Sequence, residues 1–177
     1  MATSKKKTNP SARDRKDADT LLMADHRKVE GLFKKFEKTE SDREKSALAK
    51  QICGELIIHT MLEEEIFYPA CREAEVEDDL MDEAQVEHDG AKVMITELME
   101  GEPSDDYYDA KMTVLSEYIK HHVKEEEEPG KGIFSKARKA GVDMAEVGRQ
   151  IEARKAELKA NEAAVTSKPP ETVSLAA

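Results

Sequence analysis

Several residue types are scarce in this 177-residue chain, and each scarcity narrows the possible folds. There is no tryptophan, and aromatic residues make up only 5% of the sequence. No apolar run approaches the roughly 20 residues that a membrane-spanning helix needs. Alternating β-branched runs, which predict strands, do not occur. The remainder is rich in leucine, alanine, glutamate and lysine, and therefore favours an all-α fold.

The two cysteines of the chain do not indicate a disulfide. Cys53 and Cys71 lie on one predicted helix, where 1.5 Å per residue separates them by about 27 Å. A disulfide cannot bridge that distance. The spacing fits neither a C-x-x-C redox motif nor a zinc site. We expect two ordinary thiols and a reducing compartment.

The charge of the chain is strongly negative, at -11. Such a charge argues against nucleic acid or an anionic membrane as the main partner. The N-terminal segment is basic but lacks the apolar stretch of a secretory signal. The expectation is a cytoplasmic protein with no nucleic acid or membrane partner and with a protein partner that the sequence does not identify.

The spacing of apolar residues predicts four helices packed together in a bundle, followed by an additional C-terminal helix. Each of the four main stripes has steps of four and three, as in Leu22, His26, Val29, Phe33 and Phe36. The predicted organisation is a disordered basic tail over 1–16, a bundle over 17–140, a helix over 141–161 and a disordered tail over 162–177.

Helix-capping and helix-breaking residues set the predicted boundaries. The first helix begins near Asp17, and the second runs from Asp42 to Glu73 with Pro69 expected to kink or loosen its last turns. The third helix ends at Gly101, and the fourth begins near Ser104. The segment 129–132, Pro-Gly-Lys-Gly, then ends the fourth helix.

Two H-x-x-x-E segments are the most informative feature of the sequence. Residues four apart share one face of a helix, so His59 pairs with Glu63 and His122 with Glu126. His26 and His88 occupy the equivalent apolar stripes of the other two helices. No lysine or arginine enters these stripes near the carboxylates, and buried carboxylates without a cation are costly. The predicted metal ligands are His26, His59, Glu63, His88, His122 and Glu126, in a two-metal site.

Residues beside the stripes receive other assignments. His121 points about 100° away from His122, so we expect it to flank the site. Core packing near the site is the expected role of Tyr68 and Tyr118. The remaining glutamates are expected on a solvated face, with room for one of them behind a ligand: Glu64, Glu65, Glu125, Glu127 and Glu128.

The order of lone His, H-x-x-x-E, lone His and H-x-x-x-E resembles the hemerythrin-like family, specifically the bacterial HHE cation-binding domains. The segment HTMLEEEIFYPA is similar to the second helix of that family, and the resemblance covers about residues 17–140. It implies an up-down-up-down four-helix bundle around a non-haem di-iron centre that binds or responds to dioxygen. One departure is Lys92, four residues after His88, where oxygen-carrying hemerythrins have a fifth histidine.

The ligand types themselves suit iron, manganese or zinc better than copper(I) or calcium. If Glu63 and Glu126 each bridged two irons, each iron would have two imidazole nitrogens and two carboxylate oxygens. A shared oxo or hydroxo group would leave one open position per iron. Two such positions could hold dioxygen, nitric oxide or peroxide between the irons.

Three functions remain open at this point. The first is a di-iron protein that binds or senses dioxygen, nitric oxide or peroxide. The second is a di-iron oxidase or peroxidase, although the E-x-x-H pairs of ferritin-like enzymes do not occur here. The third is an iron store or buffer. All three need the same ligands, so the ligand pattern alone does not distinguish them.

Overall fold

A computed structural model describes residues 16–175, and all of their regular elements are helical, as predicted. The elements are α1 (Ala18–Phe36), α2 (Asp42–Leu62), a π-helical turn (Glu63–Phe67), α3 (Tyr68–Glu73), α4 (Asp78–Glu100), α5 (Tyr108–Glu127), α6 (Ile133–Ala140), α7 (Met144–Ala160) and α8 (Glu162–Val165). The predicted tail over 1–16 lies outside the described residues except for Lys16. No helix within 16–175 has the length and apolar character to cross a bilayer.

Four helices, α1, α2, α4 and α5, form the up-down-up-down bundle. Around the ring, α1 packs on α2, α2 on α4 and α4 on α5. The remaining pair, α1 and α5, is the least closely packed of the four. Outside the ring, α7 lies across α1 and α2, and its N-cap residue Asp143 accepts a hydrogen bond from the Glu146 N–H at 2.9 Å.

The buried apolar residues form two clusters, one toward each end of the bundle. One includes Leu22, Leu62, Phe67, Met81 and Phe134, and the other includes Phe33, Ile52, Leu56, Ile95 and Leu115. The predicted ligands occupy the layer between them. Apolar packing on both sides therefore holds this polar layer in place.

The π-helical turn lies where Pro69 was predicted to kink or loosen the second helix. Proline has no N–H for the carbonyl four residues earlier. The Tyr68 N–H donates to the Glu63 carbonyl five residues back, which widens the turn, and the helix continues to Glu73. The extra residue in this turn changes the register, so that Phe67 is fully buried whereas Ile66 is only partly buried.

The loop before α6 approaches the end of α5 very closely. A Cβ atom on Gly132 would lie 2.4 Å from the carbonyl oxygen of Glu126. Glycine is therefore required for this close approach. The helices that carry the two H-x-x-x-E segments thus end differently, since the first continues through the π-helical turn.

The fourth helix of the bundle begins later than predicted, at Tyr108, because Tyr107 has a left-handed backbone with φ of 67°.

Residues 162–175 depart from the disordered tail that the sequence predicted. They contain α8, and the chain then reaches the buried carboxylate of Asp89 on α4. The Val173 N–H and the Ser174 hydroxyl each donate to Asp89 Oδ2 at 2.8 Å. Hydrogen bonds to a buried charge account for the order of this segment. Residues 176–177 lie outside the described residues.

Candidate metal centre

All six predicted ligands come together in the middle of the bundle. Each side chain belongs to a residue that is at most 5% exposed. The contributing elements are α1 with His26, α2 with His59, the π-helical turn with Glu63, α4 with His88, and α5 with His122 and Glu126. Four helices, the second of them continued by the π-helical turn, therefore present four imidazoles and two carboxylates to one interior.

The first of two groups of ligand atoms contains His26, His59, Glu63 and Glu126. The two imidazole Nε2 atoms are 3.0 Å apart. His26 Nε2 lies 3.3 Å from Glu126 Oε2, and His59 Nε2 lies 3.2 Å from Glu63 Oε2. Atoms bound to one ion at about 2.1 Å have roughly this separation.

The second group contains Glu63, His88 and His122. His88 Nε2 lies 3.2 Å from His122 Nε2 and 3.3 Å from Glu63 Oε2. Glu63 therefore belongs to both groups, as a carboxylate bridging two ions would. Glu126 lies farther from this group, with 3.6 Å between its Oε2 and His122 Nε2.

Tyr68 makes the centre asymmetric. Its hydroxyl donates to Glu126 Oε1 at 3.1 Å and lies 3.3 Å from His88 Nε2. The symmetric expectation of two histidines and two carboxylate oxygens per ion does not match this arrangement, because Tyr68 engages one oxygen of Glu126. Tyr118 was predicted to pack in the core, but it lies near the surface with 47% exposure.

Several buried polar atoms of the centre have no hydrogen-bond partner among the described residues. They are both carboxylate oxygens of Glu63, Glu126 Oε2 and His59 Nδ1. Within residues 16–175, no lysine or arginine nitrogen lies within 4.0 Å of either carboxylate. Buried carboxylates in this condition are compensated by a bound cation. The imidazole and carboxylate donors fit iron, manganese or zinc.

A second carboxylate stands behind each histidine, on the outer side of the ring. The Nδ1 atoms of three histidines are hydrogen-bonded to a carboxylate oxygen. The distances are 2.7 Å for His26 with Glu127, 3.0 Å for His88 with Glu64 and 2.8 Å for His122 with Glu87. The fourth contact, Asp25 to His59, is longer at 3.8 Å. Such partners fix the orientation of a ligating imidazole. Two of the remaining glutamates, Glu64 and Glu127, therefore lie behind ligands, where the sequence allowed for one.

The four supporting carboxylates are arranged in the same direction around the bundle. Each helix supports the histidine of the next helix: α1 supports α2, α2 with its π-helical turn supports α4, α4 supports α5, and α5 supports α1. The sequence contained a signal for them, because every one is adjacent to a predicted ligand, in Asp25-His26, Glu63-Glu64, Glu87-His88 and Glu126-Glu127. Adjacent residues point about 100° apart, so the neighbour of an inward ligand faces the next helix.

A positively charged or protonatable group pairs with each supporting carboxylate. Arg27 pairs with Glu127, and Lys155 of α7 pairs with Asp25. Lys92, four residues after His88, places its ammonium 2.8 Å from Glu64. His121 lies 3.4 Å from Glu87, with 63% of its side chain exposed, in the flanking position that was expected.

The pKa values of the buried groups reflect this arrangement. Burial lowers the pKa of His59, but Glu63 and Asp25 outweigh it and raise the value to about 10. For His88, burial is outweighed by Glu63 and Glu64, and the pKa rises to about 9. Burial raises the pKa of Glu64, but the hydrogen bonds and charges of His88 and Lys92 lower it by more. The pKa of Glu64 therefore lies below its ordinary value. Metal binding would therefore displace protons from His59 and His88.

The two cysteines take no part in the centre. Cys53 and Cys71 are both free and buried, as the sequence predicted. Burial raises the pKa of each thiol to about 12. Both are therefore unreactive thiols of the apolar interior.

Comparisons with known proteins agree with the geometry. The family described as Hemerythrin HHE cation binding domain matches residues 17–129. Among solved structures, the chain is similar to a hemerythrin HHE cation-binding domain-containing protein from Mycobacterium kansasii, with a TM-score of 0.69 and 20% identity over 86% of this chain and 95% of that one. Such low identity supports the fold alone. No curated protein gives a significant match.

Proposed function

Because the chain belongs to the hemerythrin HHE cation-binding domain family, we propose that its centre holds two iron ions and binds or senses dioxygen, nitric oxide or peroxide. The observation that carries the proposal is the set of unpartnered carboxylate oxygens on Glu63 and Glu126, buried among four inward imidazole nitrogens. Iron there would supply redox chemistry and coordination positions for a small ligand.

Two ions are favoured over one by the division of the ligands. The donors form two groups, of four and three residues, that share only Glu63. One ion rarely takes more than four or five protein ligands, whereas six side chains are available here. His26, His59 and Glu126 would hold one ion, His88 and His122 the other, and Glu63 both.

The surrounding residues would orient these ligands and exclude water. Tyr68 fixes one oxygen of Glu126 by its hydrogen bond, which directs the other oxygen toward His26. Phe134 stacks against His26 with 6.1 Å between ring centroids. Together with fully buried Phe67, it covers one side of the ligand layer with apolar surface.

One observation favours the alternative of a di-iron oxidase or peroxidase. The Tyr68 hydroxyl lies within 3.3 Å of atoms from two candidate ligands, where a phenol could supply a proton or an electron. Catalytic loss of hydrogen peroxide by the iron-loaded protein, reduced by Tyr68→Phe, would support this alternative. A reversible dioxygen spectrum without peroxide loss would support the binding or sensing function. A colourless, readily released metal would instead fit the iron store or buffer.

The test of the centre is a metal assay on the purified protein and on two neighbouring variants. We expect two irons per chain and a near-ultraviolet charge-transfer band in the oxidised protein. The variant His122→Ala should lose at least one iron, because its Nε2 faces the interior. The matched control His121→Ala should keep both irons, because that side chain is largely exposed.

Two outcomes would contradict the proposal. One zinc per chain with no charge-transfer band would remove the di-iron assignment. Loss of iron in His121→Ala but not in His122→Ala would move the ligands on α5 by one residue and replace Glu126 with Glu125.

A further inference from the structure

A cavity of about 200 Å³ lies between α1 and α5, the least closely packed pair of helices in the bundle. Its inner wall includes the candidate ligand His26 together with Phe33, Ile119 and Val123. The cavity therefore extends from the surface to one of the predicted ligands. A volume of this size is sufficient for a few water-sized molecules.

The mouth of the cavity carries positive charge although the protein as a whole is acidic. Arg27, Lys120 and Lys124 line it, together with Glu30 and Glu127. The carboxylates are already paired: Glu30 with Lys34 at 2.7 Å, and Glu127 with Arg27 and His26. Among the described residues, neither lysine forms an ion pair within 4.0 Å, although Lys34 and, to a smaller extent, the charge of Lys120 lower the pKa of Glu30. Two cations without a close carboxylate partner thus flank the opening, four residues apart on α5.

The inner end of the cavity meets a much smaller hollow beside the ligands. This hollow, of about 10 Å³, is lined by His26, His59 and His88 among others. It shares Ile119 and Val123 with the larger cavity. These two partly buried side chains therefore separate the cavity from the ligand layer. The smaller hollow is near the minimum size for one water-sized molecule.

Ser116 provides a polar group inside the cavity. It lines the cavity and is only 2% exposed. Its hydroxyl has no hydrogen-bond partner within residues 16–175. An unpartnered buried hydroxyl is unfavourable unless water or a ligand bonds to it. The group is a donor well suited to an anionic ligand.

From these observations we infer that the α1–α5 cavity is the entry and binding site for small monovalent anions that coordinate the metal centre. Lys120 and Lys124 attract the anion, Ser116 donates a hydrogen bond to it, and movement of Ile119 and Val123 admits it to the ligands. The inference rests on the proposed function, because it requires metal beside His26. Azide serves as the probe, since it is small, monovalent and a metal ligand.

The first experiment measures the rate of azide association with the iron-loaded protein by stopped-flow absorbance. In Lys120→Gln/Lys124→Gln, we expect the rate at low ionic strength to fall by roughly tenfold and to lose its salt dependence. The control Lys50→Gln/Lys168→Gln makes the same charge change beside a different cavity. Equal rates in the two double variants would overturn the steering role.

The second experiment tests the barrier and the hydroxyl in the same assay. Val123→Ala should raise the association rate several-fold, because it removes two methyl groups from the partition. Ser116→Ala should raise the dissociation rate by about fivefold, the loss expected for one hydrogen bond. The control Val114→Ala alters an exposed valine of the same helix. No change in Val123→Ala would mean that azide enters by another route.

The third experiment uses the metal-free protein and therefore does not depend on bound iron. Ser116→Cys should react with an anionic methanethiosulfonate faster than with a cationic reagent of similar size. Wild-type protein reports the background, because Cys53 and Cys71 are buried thiols with pKa values near 12. No labelling, or equal rates for the two reagents, would overturn the anion site. If labelling follows the charge of the reagent but the protein binds no iron, the proposed function fails and coordination of the anion fails with it, and only the anion preference of the cavity is retained.

Discussion

The two halves of the candidate centre have the same sequence pattern but different surroundings. Here the α1–α2 half means His26 and His59, and the α4–α5 half means His88 and His122. The α1–α2 half gathers four candidate ligand residues, and the α1–α5 cavity reaches its His26. The α4–α5 half gathers three, beside the hydroxyl of Tyr68. A repeated motif therefore does not imply two equivalent metal positions.

The outer contacts of the two halves also differ. Lys155 reaches the α1–α2 half from α7, and Arg27 reaches it from the surface. In the α4–α5 half, Lys92 pairs with Glu64 and lies 3.2 Å from Asp89, which in turn binds the C-terminal segment. The α1–α2 half thus borders a cavity at a helix seam and is contacted by α7, whereas the α4–α5 half is contacted by the C-terminal segment.

Of the changes considered, removal of the metal should have the largest effect on stability and on the difference between the two halves. The metal-free protein should melt about 10 °C or more below the loaded form, because six buried ligands lose their cation. The seam between α1 and α5 should open first. Calorimetry measures the melting shift, and hydrogen exchange should show less protected amides on the side of α5 that faces α1 than on the side that faces α4. Identical melting curves would argue against a buried metal centre, and uniform exchange would remove the contrast between the halves.

The second largest effect is expected when each carboxylate ligand is substituted, because the two substitutions should change the iron content of the halves differently. Glu63 belongs to both ligand groups and Glu126 only to the first. We expect Glu63→Gln to lose nearly all iron and Glu126→Gln to retain about one ion, held by the α4–α5 half. Metal analysis with circular dichroism as a folding control measures this difference. Equal iron contents in the two variants would show that both carboxylates are shared.

The sequence predicted the bundle and the six converging side chains because both follow from residue spacing along single helices. Leu22, Val29 and Phe33 define a stripe that also contains His26, so its inward position follows directly. The supporting carboxylates depend on which helix lies beside which. Spacing within one helix does not specify that neighbour, so Asp25 and Glu87 were not identified.

Two further features depend on long-range contacts. The π-helical turn combines a local cause, Pro69, with the burial of Phe67 in a core built by other helices. The C-terminal segment looked disordered because residues 166–175 have almost no apolar periodicity. Its order comes from one buried carboxylate, Asp89, about 85 residues earlier in the chain. Such a pairing leaves no periodic signal in the sequence.

The metal-free protein should show a pH dependence in which each half contributes one histidine. The pKa of His59 is raised to about 10 and that of His88 to about 9, from an ordinary value of 6.5. A raised pKa stabilises the folded protein fully below pH 6.5, and this stabilisation is lost as the pH rises through 9 and 10. Melting temperatures of chelator-treated protein should therefore fall from pH 7 to 10.

Two variants assign that fall to the two halves. His88→Ala should remove its earlier part, and His59→Ala its later part, because the pKa of His88 is the lower of the two. Metal affinity should change in the opposite direction, since protons compete with the metal for the imidazoles. A melting temperature that is constant from pH 7 to 10 in metal-free wild type would contradict the expectation.

The smallest expected effect concerns the C-terminal anchor of the α4–α5 half. In Asp89→Asn, an amide N–H₂ or a neutral carbonyl replaces the carboxylate oxygen that accepts from Val173 and Ser174. Loss of charge-assisted hydrogen bonds at a buried site should lower the melting temperature by a few degrees. Asp106→Asn, in the exposed loop before α5, is the matched control and should leave the melting temperature unchanged.

The decisive measurement for this variant is local. If the anchor holds the C-terminal segment, the amides of Val173 and Ser174 should exchange faster in Asp89→Asn, while those of α1 stay as in wild type. Lys92 would then face a neutral amide in place of one of its two carboxylate partners, so the absorption spectrum of the loaded protein should shift slightly through Glu64 and His88. Ser174→Ala removes only the hydroxyl bond and should give a smaller change than Asp89→Asn. Unchanged exchange at both amides in Asp89→Asn would show that other contacts hold the segment, and the halves would then differ only in Tyr68 and the cavity.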